Sequence, residues 1–152
     1  MLFQKNTTNN DPAVFWREYE EKCGEKVLAF VLGQYISGWA EYDLSFWGLL
    51  IATEGGFRVH HFPHESWIQA LSRAATGGEQ PKEKTIFIPR DRIVSAELKT
   101  EKSLLKRILF APSPRLCIRY RQGEAEAVLT AITEKRAAAV VESLHSIGVP
   151  RT

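Results

Sequence analysis

Apolar positions recur with two periods along the chain, and the changes of period divide it into elements. Between Asp11 and Gly24 the residues Phe15, Trp16, Tyr19 and Cys23 fall on one stripe at helical spacing. Asp11 suits an N-cap, Pro12 the first helical position and Gly24 the stop, which predicts a helix over 11–23. From Lys26 the pattern changes. Val27 to Ile36 is dense in β-branched and aromatic residues, predicting a long strand that is buried on both faces or bent at Gly33. Trp47–Thr53 and Phe57–Phe62 flank Glu54-Gly55-Gly56, a hairpin signature in which glycines supply the positive φ of a tight turn. Further strands are expected at Lys84–Ile88, ended by Pro89, and at Ile93–Lys99, with Val94, Ala96 and Leu98 on one face. Two more follow at Leu104–Phe110 and Arg115–Arg121, then a turn at Gln122-Gly123 and a strand at Ala125–Ile132. Within Arg115–Arg121, Leu116, Ile118 and Tyr120 face one way and Arg115, Arg119 and Arg121 the other, the mark of a half-buried strand.

The chain closes on a second helix, predicted over 133–147. Thr133 is its candidate cap, Glu134 favours the first turn, and Gly148 and Pro150 lie beyond its end. Its apolar stripe is Ala137, Val140, Val141, Leu144 and Ile147. The Asn/Thr-rich residues 1–10 read as a loose tail. Residues 63–83 read as an excursion between strands: a short helix near Glu65–Leu71 with Trp67, Ile68 and Leu71 inward, then breaks at Gly77-Gly78 and Pro81. The expected architecture is one domain over 11–150, mostly β with α. It is an antiparallel barrel of about seven strands capped by the C-terminal helix, with an added N-terminal helix.

Gly24-Glu25-Lys26-Val27-Leu28, the G-x-L-x-x-T strand Gly48–Thr53 within Trp47–Glu54, Phe57–Phe62, and the I-P-x-x-x-I run Ile88–Ile93 stand in this order ahead of the last strand and helix. Over roughly 24–148 the pattern resembles the pleckstrin-homology superfold, its GRAM-like and bacterial PH-like branches above all. The N-terminal helix and the 63–83 excursion are additions to it. The resemblance implies a scaffold that binds lipids, peptides or proteins, without fixing which. In many phosphoinositide-binding members the site is the loop between the first two strands. Here that loop, Ser37–Phe46, carries Glu41 and Asp43, which argues against such a pocket.

Composition narrows the picture. The chain has 152 residues, 44% of them apolar and 25% charged, ordinary values for a globular domain with a sizeable core. Cys23 and Cys117 lack metal-ligand spacing and read as reduced, buried or half-buried thiols of a cytoplasmic protein. The first residues do not form a basic region followed by an apolar core, so no leader is expected, and the longest apolar run is too short to span a bilayer. Net charge is only +2, but residues 82–121 hold eleven Lys/Arg against four Asp/Glu. Such an asymmetry suits an acidic partner or a solvated face.

Catalytic and metal chemistry find little footing. His60, His61 and His64 cluster, but a strand sends His60 and His61 to opposite faces, leaving two ligands where zinc needs at least three. There is no nucleophile elbow and no phosphate-cradling glycine loop. No metal, cofactor or catalytic residue is therefore expected, and the chain reads as a non-catalytic binding or adaptor module. Its first expected partner is another protein, met by Trp39, Tyr42, Phe46 and Trp67, because aromatics dominate binding hot spots; the other reading of Trp39, Tyr42, Phe46 and Trp47 is that they pack the barrel mouth beneath the N-terminal helix. The alternative is anionic lipid at the inner face of a membrane, met by Arg90, Arg92, Lys99, Lys106, Arg107, Arg115, Arg119 and Arg121. Nucleic acid ranks below both, since the basic strands interleave few exposed aromatics. A small enzyme or metal-binding protein ranks last.

Overall fold

A computed structural model describes residues 12–61, 84–100, 108 and 113–151. Helix α1 (Pro12–Cys23) precedes strands β1 (Val27–Ser37), β2 (Phe46–Thr53), β3 (Gly56–His61) and β4 (Thr85–Pro89). A 3-10 turn at Arg90–Arg92 leads to β5 (Ile93–Lys99), β6 (Arg115–Gln122) and β7 (Ala125–Ile132); a second 3-10 turn at Lys135–Ala137 opens helix α2 (Ala138–Ser146). The seven strands form one antiparallel sheet in the order β4-β3-β2-β1-β7-β6-β5. The chain thus winds as two meanders joined through β1, whose first part pairs β2 and whose last residues pair β7. The turn Arg90–Arg92 touches both β3 and β6, and α2 packs against β1, β2 and β5. Strands so far apart in the sheet order meet the same elements only when the sheet curls on itself, so β4 and β5 flank the one seam of a partly open barrel. All seven strands and α2 contribute to a single core cluster.

The helix stops follow from local chemistry. Gly24, at φ +72°, donates its N–H to Glu20 C=O at 2.9 Å and ends α1. α2 ends in a Schellman arrangement: Gly148, at φ +106°, donates to His145 C=O at 3.1 Å, and Val149 donates to Leu144 C=O at 3.1 Å. Val149 is buried beside the core side of the helix, where Ala137, Val140, Val141 and Leu144 close the barrel. Leu144→Ala is expected to cost about 2–5 kcal/mol in urea unfolding, because the packed floor cannot collapse into the space left. Loss of less than about 1 kcal/mol would mean that α2 is not the lid.

Several sequence expectations change. β1 is not buried on both faces: its burial alternates, and Phe30 and Leu32 point to solvent. It is Gly33 that lets the strand serve two partners, since a Cβ there would meet Leu50 Cδ1 at 2.6 Å and Ile132 C=O at 3.0 Å. In the hairpin turn only Gly56 has positive φ, at +147°; Gly55 is required for space instead, as a Cβ there would lie 2.0 Å from a Glu25 carboxylate oxygen. A bulge between Ile93 and Ser95 shifts the parity of β5, so Ile93 takes the buried place expected for Val94. Thr133 does not cap the C-terminal helix; its hydroxyl donates to Leu32 C=O at 2.9 Å, and helical structure begins at Lys135, ending at Ser146 rather than 147. Of the strand expected at 104–110 only Ile108 is described, and its backbone is helical. The tail 1–10, the cap Asp11 and the 63–83 excursion lie outside the described residues.

Candidate functional site

Strand parity builds an unusual surface on the outside of β1 and β2. In β1, Val31 and Tyr35 enter the core, so Leu28, Phe30 and Leu32 must point outward. In β2, Phe46, Leu50 and Ala52 enter the core, and Trp47, Leu49 and Ile51 point outward. The antiparallel register places Phe30 opposite Ile51, Leu32 opposite Leu49, and Gln34 opposite Trp47. Leu32 and Trp47 are each 57% exposed and Phe30 49%. Directly paired side chains stand about 4.5–5.5 Å apart at Cβ, so these residues form one continuous apolar face rather than scattered exposures.

The face continues around the barrel into charge. Gln34 pairs with Ile132 of β7, Ile132 with Arg115 of β6, and Arg115 with Lys99 of β5. One row therefore runs across five strands as Trp47, Gln34, Ile132, Arg115 and Lys99, apolar at one end and cationic at the other. Lys99 is paired with Glu97 at 3.5 Å. Arg115 is exposed, and among the described residues no carboxylate is paired with it.

Helix α1 covers the other end of the apolar face. Trp16 lies on Phe30 with ring centroids 4.1 Å apart, and Tyr19 meets the edge of His60 at 5.5 Å. Ile51, fully buried between Phe30 and Arg58 in the same row, belongs to this outer layer and not to the barrel core. Burial holds the Tyr19 hydroxyl above its ordinary pKa, although the Arg58 charge pulls it down. Between α1 and the outer side of β3–β4 is an open groove of about 370 Å³, with Phe15, Tyr19, Arg58 and Phe87 among its walls.

A carboxylate fixes the helix to the sheet. Glu25, one residue past the helix stop, accepts from Thr53 Oγ1 at 2.6 Å, from Gly55 N–H at 2.7 Å and from the Arg58 guanidinium. Burial raises its pKa, but the Thr53 and Arg58 hydrogen bonds, the Arg58 charge and the Gly55 N–H outweigh burial and leave it below the ordinary carboxylate value. Arg58 in turn lies over the Phe87 ring, 4.0 Å from its centroid.

The aromatic residues expected at a partner surface are placed differently. Phe46 is 7% exposed and stacks on Tyr35 at 4.8 Å. Trp39 packs on Tyr120 at 5.6 Å, and Tyr42 meets Phe46 edge-on at 5.5 Å. The Tyr35 hydroxyl accepts from Trp39 N–H at 2.8 Å and donates to Tyr42 C=O at 3.0 Å, so this loop closes the barrel mouth. Phe46 and Trp47 are neighbours in one strand, and only Trp47 faces solvent. Sequence reasoning thus selected Trp39, Tyr42, Phe46 and Trp67 and did not select Phe30 and Leu32; their signal was the apolar residue at both parities of β1. Trp67 lies outside the described residues.

The basic residues are gathered only in part. Arg115, Arg119 and Arg121 share the outer face of β6, and Lys99 lies beside Arg115. Arg119 is 4.0 Å from Glu126, and Glu97 also stands on this face, so carboxylates interrupt the cations. Arg90 and Arg92 are exposed on the 3-10 turn, which meets the Tyr120 end of β6 and not the end that carries Arg115 and Lys99; Lys106 and Arg107 lie outside the described residues. His60 and His61 do take opposite sides, His60 against Tyr19 and His61 against Phe46. Among the described residues no three His, Cys, Asp or Glu side chains are grouped to hold a metal ion, and no helix is long and apolar enough to cross a membrane. Cys23 and Cys117 are free and half-buried. No protein-family model matches the chain, and no curated protein matches it.

Proposed function

We propose that this chain is a non-catalytic, PH-like binding module that acts by protein–protein interaction in the cytoplasm, and that its docking surface is the outer face of β1 and β2. One observation carries the reading: Phe30, Leu32 and Trp47 form a continuous exposed apolar row on strands whose opposite face supplies Val31, Tyr35, Phe46, Leu50 and Ala52 to the core. Such a row is not needed to fold the barrel, and contiguous apolar surface of this kind marks interaction sites. The meander order and the closing helix support the PH-like assignment.

The paired substitution Leu32→Glu with Trp47→Glu tests it. Both side chains are more than half exposed, so the melting temperature is expected to move by no more than a few degrees. With a photo-crosslinker at Gln34, the unsubstituted protein is expected to form a discrete adduct in a lysate of its source cells, and the doubly substituted protein to lose it. An adduct that survives both substitutions would remove this face from the function. Anionic lipid is the second reading, favoured by Arg115, Arg119 and Arg121 on one face. It requires salt-sensitive pelleting with anionic vesicles that Arg→Glu changes at these three positions abolish.

A further inference from the structure

We infer that the partner of this face is an amphipathic α-helix whose apolar stripe is bordered by acidic residues on the flank nearest β6. This rests on the docking reading above and adds the partner's chemistry to it.

The backbone selects a helix. At the seat itself the backbone is engaged: Leu49 pairs with both β1 and β3, Gln34 pairs with Trp47 on one side and Ile132 on the other, and the Leu32 C=O accepts the Thr133 hydroxyl. Over Leu32, Gln34 and Leu49 the outer face therefore offers side chains, the backbone groups there being already taken. A partner seated there must satisfy its own backbone, which a helix does and an added strand does not. The edge strand β4 is also poorly suited to strand addition. Tyr42 Oη is 3.2 Å from both Thr85 N and Thr85 O, and Pro89 has no N–H to offer. The molecule already places a helix on this layer of the sheet: α1, through Trp16 on Phe30. Leu32, Leu49 and Trp47 continue the same layer beyond it.

Charge and width fix the flank. From β2 to β6 the sheet takes three strand spacings of roughly 4.8 Å, or about 14 Å. A helix is about 10–12 Å wide with its side chains. Seated over Leu32, Gln34 and Trp47, it reaches β6 with one flank, where Arg115 has no carboxylate paired with it among the described residues and Lys99, paired with Glu97, stands next to it. An acidic flank complements those cations, and a basic one meets them with repulsion at a desolvated rim.

The test uses displayed peptides of about 18 residues, five helical turns, with a fixed leucine stripe and flanks randomised among Glu, Gln and Lys. They are selected on the unsubstituted protein and counter-selected on the Leu32→Glu, Trp47→Glu protein. Recovered peptides are expected to carry Glu on one flank, to bind about tenfold more tightly than versions with that flank changed to Lys, and to lose this preference in high salt. Arg115→Glu with Lys99→Glu is expected to reverse the selected flank. Recovery of Trp47-dependent binders with no flank bias would overturn this inference and leave the docking reading standing. Recovery of no Trp47-dependent binder would overturn both. Pelleting with anionic vesicles that Leu32→Glu and Trp47→Glu abolish would replace the helical partner with a membrane.

Discussion

Gly38→Ala is expected to destabilise the barrel by on the order of 3–5 kcal/mol, much of the 5–15 kcal/mol typical of a domain. Two separate costs add at this position. The backbone holds φ at +108°, a region that L side chains rarely adopt, and strain of this kind costs about 1–3 kcal/mol. A Cβ would also lie 2.0 Å from Val128 O and 2.6 Å from Leu129 Cα. Both are backbone atoms of β7, held in the ladder opposite Arg119 and Ile118 of β6, so they do not readily give way. Relief would have to come from Gly38, but its carbonyl accepts the Tyr120 hydroxyl, and the Tyr120 ring supports Trp39. The end of β1, the mouth loop, β6 and β7 would all be disturbed together. Gly123→Ala separates the two costs. It has positive φ at +66° with nothing within 4 Å of the added Cβ, so it is expected to lose only about 1 kcal/mol. Urea midpoints of the two variants decide the matter; equal losses would show that the close approach of β1 to β7 is not a constraint.

The contrast between these glycines mirrors what was legible in the sequence. Local rules carried far. Arg115–Arg121 alternates so regularly that the buried set Leu116, Ile118 and Tyr120 could be read directly, and each helix stop was marked by its glycine. Positions settled by partners distant in sequence were not legible. Gly38 reads as a loop glycine until β7 lies against it. Thr133 has the composition of a cap, yet Leu32, about a hundred residues away, holds its hydroxyl. The bulge in β5 depends on how it registers with β6.

The candidate site failed to show for a related reason. Hydrophobicity along β1 says that both faces are apolar, but not that the chain leaves one of them partly uncovered. The aromatic cluster from Trp39 to Trp47 resolved only when β2 acquired a register: Phe46 went inward onto Tyr35, and Trp47 was left outside opposite Gln34. Of the basic residues expected at a surface, Arg115, Arg119 and Arg121 share a strand face while Arg90 and Arg92 sit on a turn, a division that charge counts along a segment do not draw.

Glu25→Gln is expected to lower stability at neutral pH by about 2 kcal/mol, the usual scale for hydrogen bonds to a charged group. For a chain of this size that is a fall of about 4–8 °C in melting temperature. The glutamine keeps an acceptor for Thr53 and Gly55 but leaves the half-buried Arg58 guanidinium without its counter-charge. The folded pKa of Glu25 is depressed, so the carboxylate's contribution is full above the ordinary value of about 4.3 and disappears as pH falls through the lower folded value. The gap between the original protein and Glu25→Gln should therefore be widest near pH 7 and close in acid. A gap that does not change with pH would assign the loss to shape and not to charge. Arg58→Met added to Glu25→Gln should recover part of the loss, since removing both partners leaves no unpaired charge. Glu25 ties the end of α1 to the β2–β3 turn, so its neutralisation should also raise hydrogen exchange along Pro12–Cys23 before the barrel opens. Release of α1 would uncover Ile51 and the part of Phe30 beneath Trp16, enlarging the apolar face on which the proposed helical partner is expected to sit.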